Sequence, residues 1–146
     1  MEASDVDPVI EISAGLAEAP RWPRAAWERV VSGEAPLRIA LVAERDGAVV
    51  GFAVAALVAG QAEIESIAVN ASAQRAGIGR GLMRDLTCQL ERLGIQALML
   101  EVRASNEAAL RLYRGMGFTE TGRRADYYAQ PVEDAILMQL SPLAQE

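Results

Sequence analysis

One stretch in the middle of the chain constrains the fold more than any other: an apolar strand, a loop with two glycines and a helix follow one another without a break. Residues 67–69 end the apolar run, residues 74–80 carry the glycines, and leucines at helical spacing continue to Leu93. Glycine lets a backbone approach a ligand closely, and the first N–H groups of a helix have no partner within it. The stretch therefore predicts an anion-binding site, of a kind that serves dinucleotides, nucleoside triphosphates and coenzyme A alike.

Length and charge limit the classes of protein to which the chain can belong. With 146 residues, 51% of them hydrophobic, it fits one domain over residues 1–146 with a full core. Its net charge of −6 argues against a nucleic-acid partner and favours a cationic substrate, although many intracellular domains are acidic without such a reason. No segment is apolar and long enough for secretion or membrane insertion, so we expect a cytoplasmic protein without a membrane partner.

Two residue types are missing from the sequence, and both absences restrict the chemistry. Without histidine there is no Ser-His-Asp or Cys-His catalysis and we expect no metal site, so a general base has to be a carboxylate. All 14 basic residues are arginine, which excludes a lysine Schiff base and the phosphate-binding lysine of a Walker loop. The single cysteine, Cys88, cannot form a disulfide within the chain, and we expect it in the core as a small hydrophobic residue.

Hydrophobic spacing and turn residues predict two helices, a three-stranded meander, a helix, a strand, a helix and a final hairpin. The first helix starts at Asp5 or Asp7 and runs up to Pro20, with apolar positions at Val9, Ile12 and Leu16. The next helices cover residues 23–31 and 77–93, and a fourth is capped by Asn106 and ends at Gly117. The strands cover residues 37–44, 49–58, 62–69, 97–102, 118–127 and 135–140.

A Rossmann dinucleotide site is one alternative interpretation of the glycine loop. Gly77-Ile78-Gly79 follows a strand and opens a helix, and Glu101 ends the next strand, as such a site requires. Leu82, however, stands at the third glycine position. The predicted sheet is also mixed and too small for a doubly wound fold, so both features disfavour this interpretation.

Together with the elements that follow it, the loop resembles the GCN5-related N-acetyltransferases (GNAT), whose acetyl-coenzyme A motif reads Gln/Arg-x-x-Gly-x-Gly/Ala. Here the motif is Gln74-x-x-Gly77-x-Gly79. Further segments are similar to the bacterial RimI branch of this family: Leu-Glu-Val-Arg-Ala-Ser-Asn at 100–106, Ala-Leu-x-Leu-Tyr at 109–113, Gly-Phe at 117–118, Arg-Arg at 123–124, Tyr-Tyr at 127–128 and Glu-Asp-Ala-Ile-Leu-Met at 133–138. The resemblance extends over residues 5–140.

The resemblance implies both a fold and an activity. The fold is α/β (α+β mixed), with a central, mostly antiparallel sheet whose parallel central strands splay apart, and about four helices. RimI enzymes acetylate the N-terminal alanine of a ribosomal protein. The implied activity is therefore acetyl transfer from acetyl-coenzyme A to the N-terminal α-amine of an S18-like protein. The chain departs from the family in its opening strand, since only residues 1–4 precede the first helix, and in Asn70-Ala71, which replaces the common Asp-Pro.

Acyl transfer to an amine needs a base for the amine and a proton for the leaving thiolate. Glu101 ends an apolar strand beside the predicted cofactor crevice, and the resemblance implies the role of general base for it. Tyr113 lies on the apolar face of its helix, and the resemblance favours a role as general acid over that of a structural core tyrosine. Glu63 is the alternative base, because other branches use a glutamate on its strand, where Glu65 shares its face.

The resemblance also implies which residues hold the two substrates. Loop N–H groups would bind the pyrophosphate, the preceding strand would follow the pantetheine arm, and the helix cap would touch the cofactor. These cofactor residues are Ile67, Ala68, Val69, Arg75, Ala76, Gly77, Ile78, Gly79, Arg80 and Asn106. Whether the two arginine side chains contact phosphate or are merely solvated stays open. The peptide groove would be flanked by Trp22, Pro23, Glu63, Tyr127, Tyr128 and Glu133.

An acidic rim of this kind would suit the basic N-terminus of a ribosomal protein, although Trp22 could equally seal the core. Two other functions remain open at this point. The acceptor could be a lysine side chain or a small-molecule amine, or the chain could be a non-catalytic acyl-coenzyme A-binding regulatory module. We expect a monomer or a weak homodimer.

Overall fold

The computed structural model describes residues 1–15, 22–34, 36–129 and 131–141, which contain four α-helices and six β-strands. The helices are α1 (Val6–Ala14), α2 (Arg24–Ser32), α3 (Ile78–Arg92) and α4 (Glu107–Gly115). The strands are β1 (Arg38–Arg45), β2 (Ala48–Val58), β3 (Gln61–Val69), β4 (Leu98–Arg103), β5 (Thr119–Ala129) and β6 (Val132–Leu140). Short 3-10 turns at Ala3–Asp5 and Ala71–Ala73 precede α1 and α3. None of these helices is long and apolar enough to cross a membrane.

The six strands form one mixed sheet in the order β1-β2-β3-β4-β6-β5. All neighbours are antiparallel except β3 and β4, which helix α3 connects as a parallel pair. Their parallel register covers only Ala62 with Leu98 and Glu63 with Met99. Both strands continue beyond these pairs, so their carboxyl ends diverge and leave a gap in the middle of the sheet. The predicted mixed sheet with splayed central strands is confirmed.

Helices cover both faces of the sheet. On one face, which we call the α3/α4 face, the amphipathic helix α3 buries Leu82, Leu86 and Leu90, and α4 packs beside it. On the opposite, α1/α2 face, a second cluster surrounds Trp27, whose ring meets that of Phe52 edge-on with the centroids 5.2 Å apart. Full burial of such a side chain contributes about 1.5–3 kcal/mol, so the two clusters hold the three layers together.

Helix α4 begins at the predicted residue. The Asn106 side-chain oxygen accepts a hydrogen bond from the N–H of Ala109 at 3.2 Å, the usual N-cap contact. After the helix, Gly117 has a φ of 101°, and the N–H of Phe118 donates to the carbonyl of Tyr113 at 3.0 Å. These contacts fix both ends of α4 and therefore the side of the helix that faces the sheet.

The prediction that Cys88 lies in the core is wrong, because its side chain is exposed. Cys88 is two residues from both Leu86 and Leu90, and two residues turn a helix by about 200°. The cysteine therefore lies on the side of α3 opposite to the buried leucines.

The first helix and the final hairpin differ in length from the prediction. Helix α1 ends at Ala14, because the chain turns at Gly15, whose N–H bonds the carbonyls of Glu11 and Ile12. The predicted positions Leu16 and Pro20 lie outside the described residues. Residues 1–15 form no strand, in line with the weak opening strand noted in the sequence. Strands β5 and β6 each extend two to three residues further toward their shared turn than predicted.

Gly51 in β2 lies beneath the first turn of α3. A Cβ there would be 3.1 Å from the Ala68 carbonyl oxygen, 3.3 Å from Leu82 Cδ1 and 3.4 Å from Ile78 Cγ2. We expect Gly51→Ala to lower the free energy of unfolding by about 1–3 kcal/mol, because the overpacked helix has to shift. The control Gly81→Ala, with nothing within 4 Å of its Cβ, should gain up to about 1 kcal/mol. Urea unfolding measures both, and equal stability of the two variants would contradict the packing explanation.

Candidate active site

A cleft of about 1020 Å³ opens where β3 and β4 diverge. Its walls come from the end of β3, the loop before α3, the end of β4, the inner face of α4 and the tip of β5. Fifteen of the predicted site residues line it: Trp22, Glu63, Ile67, Ala68, Val69, Arg75, Gly77, Ile78, Gly79, Arg80, Glu101, Asn106, Tyr113, Tyr127 and Tyr128. Three are not part of the lining, Pro23, Ala76 and Glu133. The cleft therefore brings together residues that are far apart in the sequence.

The loop before α3 has the backbone shape of an anion site. Gln74 donates its side-chain amide to the carbonyl of Val69 at 3.1 Å, which ties the loop to the end of β3. Arg75 and Gly77 have φ angles of 68° and 79°, in the left-handed region. The first helical hydrogen bond of α3 is donated by Gly81, so the three N–H groups before it have no partner within the helix. Those N–H groups and the positive end of the helix dipole favour a phosphate group here.

Glu101 approaches the gap from the α1/α2 face. Its neighbours Leu100 and Val102 are buried in the cluster on the α3/α4 face, so the alternation of a strand points Glu101 to the other side. One carboxylate oxygen lies 3.4 Å from Nη1 of Arg124, and the Glu101 side chain is 19% exposed. The carboxylate also raises the pKa of the Tyr127 phenol, first by hydrogen bonding and then by its charge. Glu101 thus has a cation and a phenol as neighbours.

Tyr113 reaches the gap from the opposite, α3/α4 face. The residue is 7% exposed, and its ring packs against that of Phe118 with the centroids 5.6 Å apart. Burial raises the pKa of Tyr113 to about 12, because a phenolate would lose its hydration. Among the described residues, no hydrogen bond occupies its hydroxyl group, so the phenol is a protonated donor at the edge of the cleft.

The two alternative glutamates differ in their surroundings. Strand β3 has a bulge, since Val54 pairs with Ser66 and Ala55 with Ile64, which leaves Glu65 unpaired in the ladder. Glu65 accepts a hydrogen bond from Nε of Arg38 at 2.6 Å, and both side chains are partly buried. Glu63 lies in the last parallel pair, is exposed and lines the cleft. Of the two, Glu63 therefore remains the candidate for a role in proton transfer.

A second bulge, in β5, brings Tyr127 to the cleft. Arg124 pairs with Ala135 and Tyr128 with Glu133, so three residues on β5 face Asp134 alone. The Asp134 carboxylate accepts the N–H of Asp126 at 3.0 Å and Nε of Arg123 at 2.8 Å. Both contacts lower the pKa of Asp134, the Asp126 N–H more than Arg123. The ionised Asp134 carboxylate thus stabilises the backbone of the bulge. No sequence motif predicts this arrangement.

Glu133 stabilises the loop between β4 and α4 and lies outside the cleft lining. Its carboxylate accepts the N–H of Ser105 at 2.9 Å and a hydrogen bond from Nη1 of Arg103 at 3.3 Å. Hydrogen bonding from Ser105 is the main reason that the pKa of Glu133 is lowered. The Arg103 guanidinium also stacks on the Tyr128 ring, 4.2 Å from its centroid. The roles of Arg103, Arg124 and Asp134 in organising the site could not be predicted from the sequence, because their partners depend on how β5 and β6 pair.

The model of the acetyltransferase (GNAT) family matches residues 10–118. This chain belongs to that family. It is 44% identical over 110 residues to the ribosomal protein bS18-alanine N-acetyltransferase of Salmonella typhimurium, covering 74% of this chain and 73% of that protein. The protein of the same name from Haemophilus influenzae is 37% identical over 109 residues, 73% of each chain.

A solved structure of the same kind agrees with the fold. The crystal structure of the ribosomal-protein-S18-alanine N-acetyltransferase from Escherichia coli has a TM-score of 0.85 and 33% identity, covering 100% of this chain and 92% of that one. The resemblance to the RimI branch is confirmed, and the chain is an N-acetyltransferase.

The pKa of Tyr127 provides a test of the site geometry that does not depend on activity. In Glu101→Gln we expect this pKa to fall toward its ordinary value of about 10, because an amide repels the phenolate less than a carboxylate does. Ultraviolet absorbance of the phenolate during alkaline titration measures it, with Tyr127→Phe used to assign the signal. Glu120→Gln, on the exposed surface beside Arg114, is the control. An unchanged Tyr127 pKa in Glu101→Gln would show that the two side chains are apart in solution.

Proposed function

We propose that this enzyme transfers an acetyl group from acetyl-coenzyme A to the N-terminal α-amine of a protein, and that the acceptor is a ribosomal protein of the bS18 type. The observation that carries the proposal is that Glu101 and Tyr113 line the same cleft from opposite faces of the sheet, beside the glycine loop. The names of the relatives support the choice of acceptor. Residues 1–146 would form a single catalytic domain, acting in the cytoplasm as a monomer or weak homodimer.

The shape of the cleft fits acetyl-coenzyme A as the acetyl donor. We assign its pyrophosphate to the N–H groups of residues 75–80, where the left-handed residues curve the backbone around an anion. The pantetheine arm would lie along Ile67, Ala68 and Val69, on the part of β3 that has left its pairing with β4. Backbone groups there can bond the amides of the arm, as in strand addition. Asn106 would touch the cofactor while capping α4, and the reaction needs no metal.

In the proposed reaction the acceptor amine loses the proton of its ammonium form to water, its neutral nitrogen attacks the thioester carbonyl, and a backbone N–H near Val69 stabilises the oxyanion. Glu101 takes the proton from nitrogen, directly or through water. The carbon–sulfur bond then breaks, and the coenzyme A thiolate receives a proton from Tyr113. An α-amine, with a pKa of about 7.7–8.0, loses its proton far more readily than a lysine amine at about 10.4. A carboxylate base without histidine therefore favours an N-terminal acceptor.

The pKa of Tyr113 affects how the thiolate is protonated. At about 12, the phenol is a weaker acid than an ordinary tyrosine and far weaker than a thiol, whose pKa is about 8.5 in water. The thiolate, however, would form in the same buried place, and burial raises the pKa of a thiol as well. We infer that Tyr113 first donates a hydrogen bond to the departing sulfur and transfers its proton as the negative charge develops there.

The acceptor peptide would enter on the α1/α2 face, between Trp22 and the aromatic tip of β5. Glu63 and Glu101 give this entrance a negative character, which suits a basic N-terminal segment. Tyr128 would pack against the peptide, held in place by the stacked Arg103. Glu133, predicted as a substrate residue, would act indirectly by fixing the loop that carries Ser105.

Substitution of the acidic residues separates the two candidate bases. We expect Glu101→Gln to lower kcat/KM by about 10²–10⁴-fold, since that is the usual contribution of a general base, and Glu63→Gln to lower it by less than about tenfold. Tyr113→Phe should lose about 100-fold with little change in the KM for acetyl-coenzyme A. Steady-state kinetics over a range of pH measures all three variants. Near-wild-type activity of Glu101→Gln, with a large loss in Glu63→Gln, would move the role of base to Glu63.

The acceptor class can be tested with peptides and labelled acetyl-coenzyme A. We expect transfer to the α-amine of a peptide that begins with alanine, weaker transfer to peptides that begin with serine or methionine, and none to an internal lysine of an N-terminally blocked peptide. Mass spectrometry locates the label. Transfer only to the internal lysine would refute the N-terminal assignment, and coenzyme A binding without transfer to any peptide or small amine would favour a regulatory module.

A further inference from the structure

We propose that Arg124 occupies the place of the acceptor's ammonium group in the free enzyme, and that the acceptor displaces it from Glu101. This inference rests on the proposed function, because it takes Glu101 to be the group that receives the acceptor amine. It adds a residue that selects for a cationic N-terminus. Arg124 is not itself a catalytic residue, since it leaves before the reaction begins.

The first support is the contact itself. Nη1 of Arg124 lies 3.4 Å from Oε1 of Glu101, whose side chain is only 19% exposed. A carboxylate that is mostly removed from water needs a cation or hydrogen-bond donors nearby. In the described part of the chain, Arg124 is the only cation that forms an ion pair with Glu101. A base held in this way is not available to an incoming amine until the guanidinium moves.

The second support is that Arg124 is less constrained than Arg103, an arginine of the cleft lining. Arg103 bonds Glu133 and the carbonyl of Pro131 and stacks on Tyr128, so it is held from several sides. Arg124, by contrast, is 56% exposed and otherwise lies only over the Tyr127 ring, 5.3 Å from the centroid. Its guanidinium can therefore swing into water without breaking a backbone contact.

The third support is charge balance. An α-amine with a pKa of about 7.7–8.0 arrives at neutral pH mostly as an ammonium ion. Exchange of one cation for another at Glu101 keeps the carboxylate neutralised throughout binding, whereas a neutral ligand would have to leave it without a partner. An N-terminus that is already acetylated carries no charge and would not displace Arg124. The product therefore loses the interaction that admitted the substrate, and Arg124 returns to Glu101 as the product leaves.

The experiment measures peptide binding to Arg124→Gln with coenzyme A in place of acetyl-coenzyme A, so that no transfer occurs. Isothermal calorimetry compares a peptide that begins with a free alanine amine with the same peptide N-acetylated. We expect Arg124→Gln to bind the free peptide about two- to fivefold more tightly, the range that corresponds to loss of one exposed ion pair. The affinity for the acetylated peptide should not change. In kinetics, the KM for the peptide should fall by the same factor with kcat little changed.

Two further variants make the test specific. Arg114→Gln removes the same charge from an exposed ion pair with Glu120, outside the cleft lining, and should leave both affinities unchanged. In the double variant with Glu101→Gln, the gain in peptide affinity from Arg124→Gln should vanish, because an uncharged amide forms no ion pair with Arg124. A gain that persists in the double variant would overturn the proposal, since it could not come from competition for Glu101.

The remaining outcomes separate the inference from the function. Weaker binding of the free peptide to Arg124→Gln would mean that Arg124 contacts the acceptor, and equal binding would mean that it does not compete; both would overturn the inference and leave the proposed function intact. Tighter binding of both peptides would assign Arg124 a merely steric role, which also overturns it. Failure of the wild-type enzyme to bind or acetylate any free N-terminus would overturn the proposed function and the inference together.

Discussion

The site depends on one constraint, the early end of hydrogen bonding between β3 and β4. Strand edges in the interior of a sheet carry N–H and C=O groups that need partners, and here the neighbouring strand stops providing them after Glu63 and Met99. The same end of the sheet receives the unpaired N–H groups of α3. A ligand with amide groups along one part and phosphates at the other can satisfy both sets, which is the chemistry of coenzyme A. In the proposed function, the gap binds the cofactor because backbone N–H and C=O groups along it have no partner in the sheet or the helix.

Charges around the gap are arranged so that most carboxylates have a partner. Glu65 is paired with Arg38, Glu101 with Arg124, and Asp134 with Arg123, while Glu133 bonds Arg103 and a backbone N–H. Glu63 has no ion pair among the described residues, although it lines the cleft. Three of these contacts hold local structure, whereas the one at Glu101 involves an exposed, loosely held guanidinium. In the proposed function, the negative charge available to a substrate is thus concentrated at Glu63 and Glu101.

The elements that depend on local rules were predictable from the sequence. Leucines three and four apart predicted the buried side of α3, and Asn106 predicted the start of α4. The glycine loop and the positions of Glu101 and Tyr113 at the cleft could be predicted from the resemblance to the family and from the order of the strands and helices. The structure shows that these residues line the cleft, while the chemical roles of Glu101 and Tyr113 remain proposals.

What the sequence could not predict depends on register and on contacts between distant strands. Bulges at Glu65 and before Tyr128 are set by the pairing of whole strands, and no residue type marks them reliably. Cys88 was misplaced because its residue type was given more weight than its position on α3, two residues from each neighbouring buried leucine. Glu133 belongs to a motif that is similar to the family, but the motif does not indicate which residue Glu133 contacts. Its hydrogen bond with the N–H of Ser105 could therefore not be predicted. The ion pair between Arg124 and Glu101 depends both on the register of β5 and on the contact between strands that are distant in the sequence.

Because the sequence contains no histidine, the proposed reaction uses a carboxylate as its base and a phenol as its acid. Carboxylates are ordinarily ionised and phenols protonated at neutral pH, so base and acid start in the states that acyl transfer needs. The ammonium form of the acceptor has no lone pair, so it loses one proton to water before its nitrogen attacks. The two later proton transfers are each uphill on their own, from nitrogen to a carboxylate and from a buried phenol to a thiolate. The first becomes favourable when attack on the carbonyl places positive charge on nitrogen, and the second when charge gathers on sulfur. Approach from opposite faces of the sheet lets Glu101 and Tyr113 respond to these two changes separately, so these two later proton transfers follow the bond changes at the carbonyl carbon.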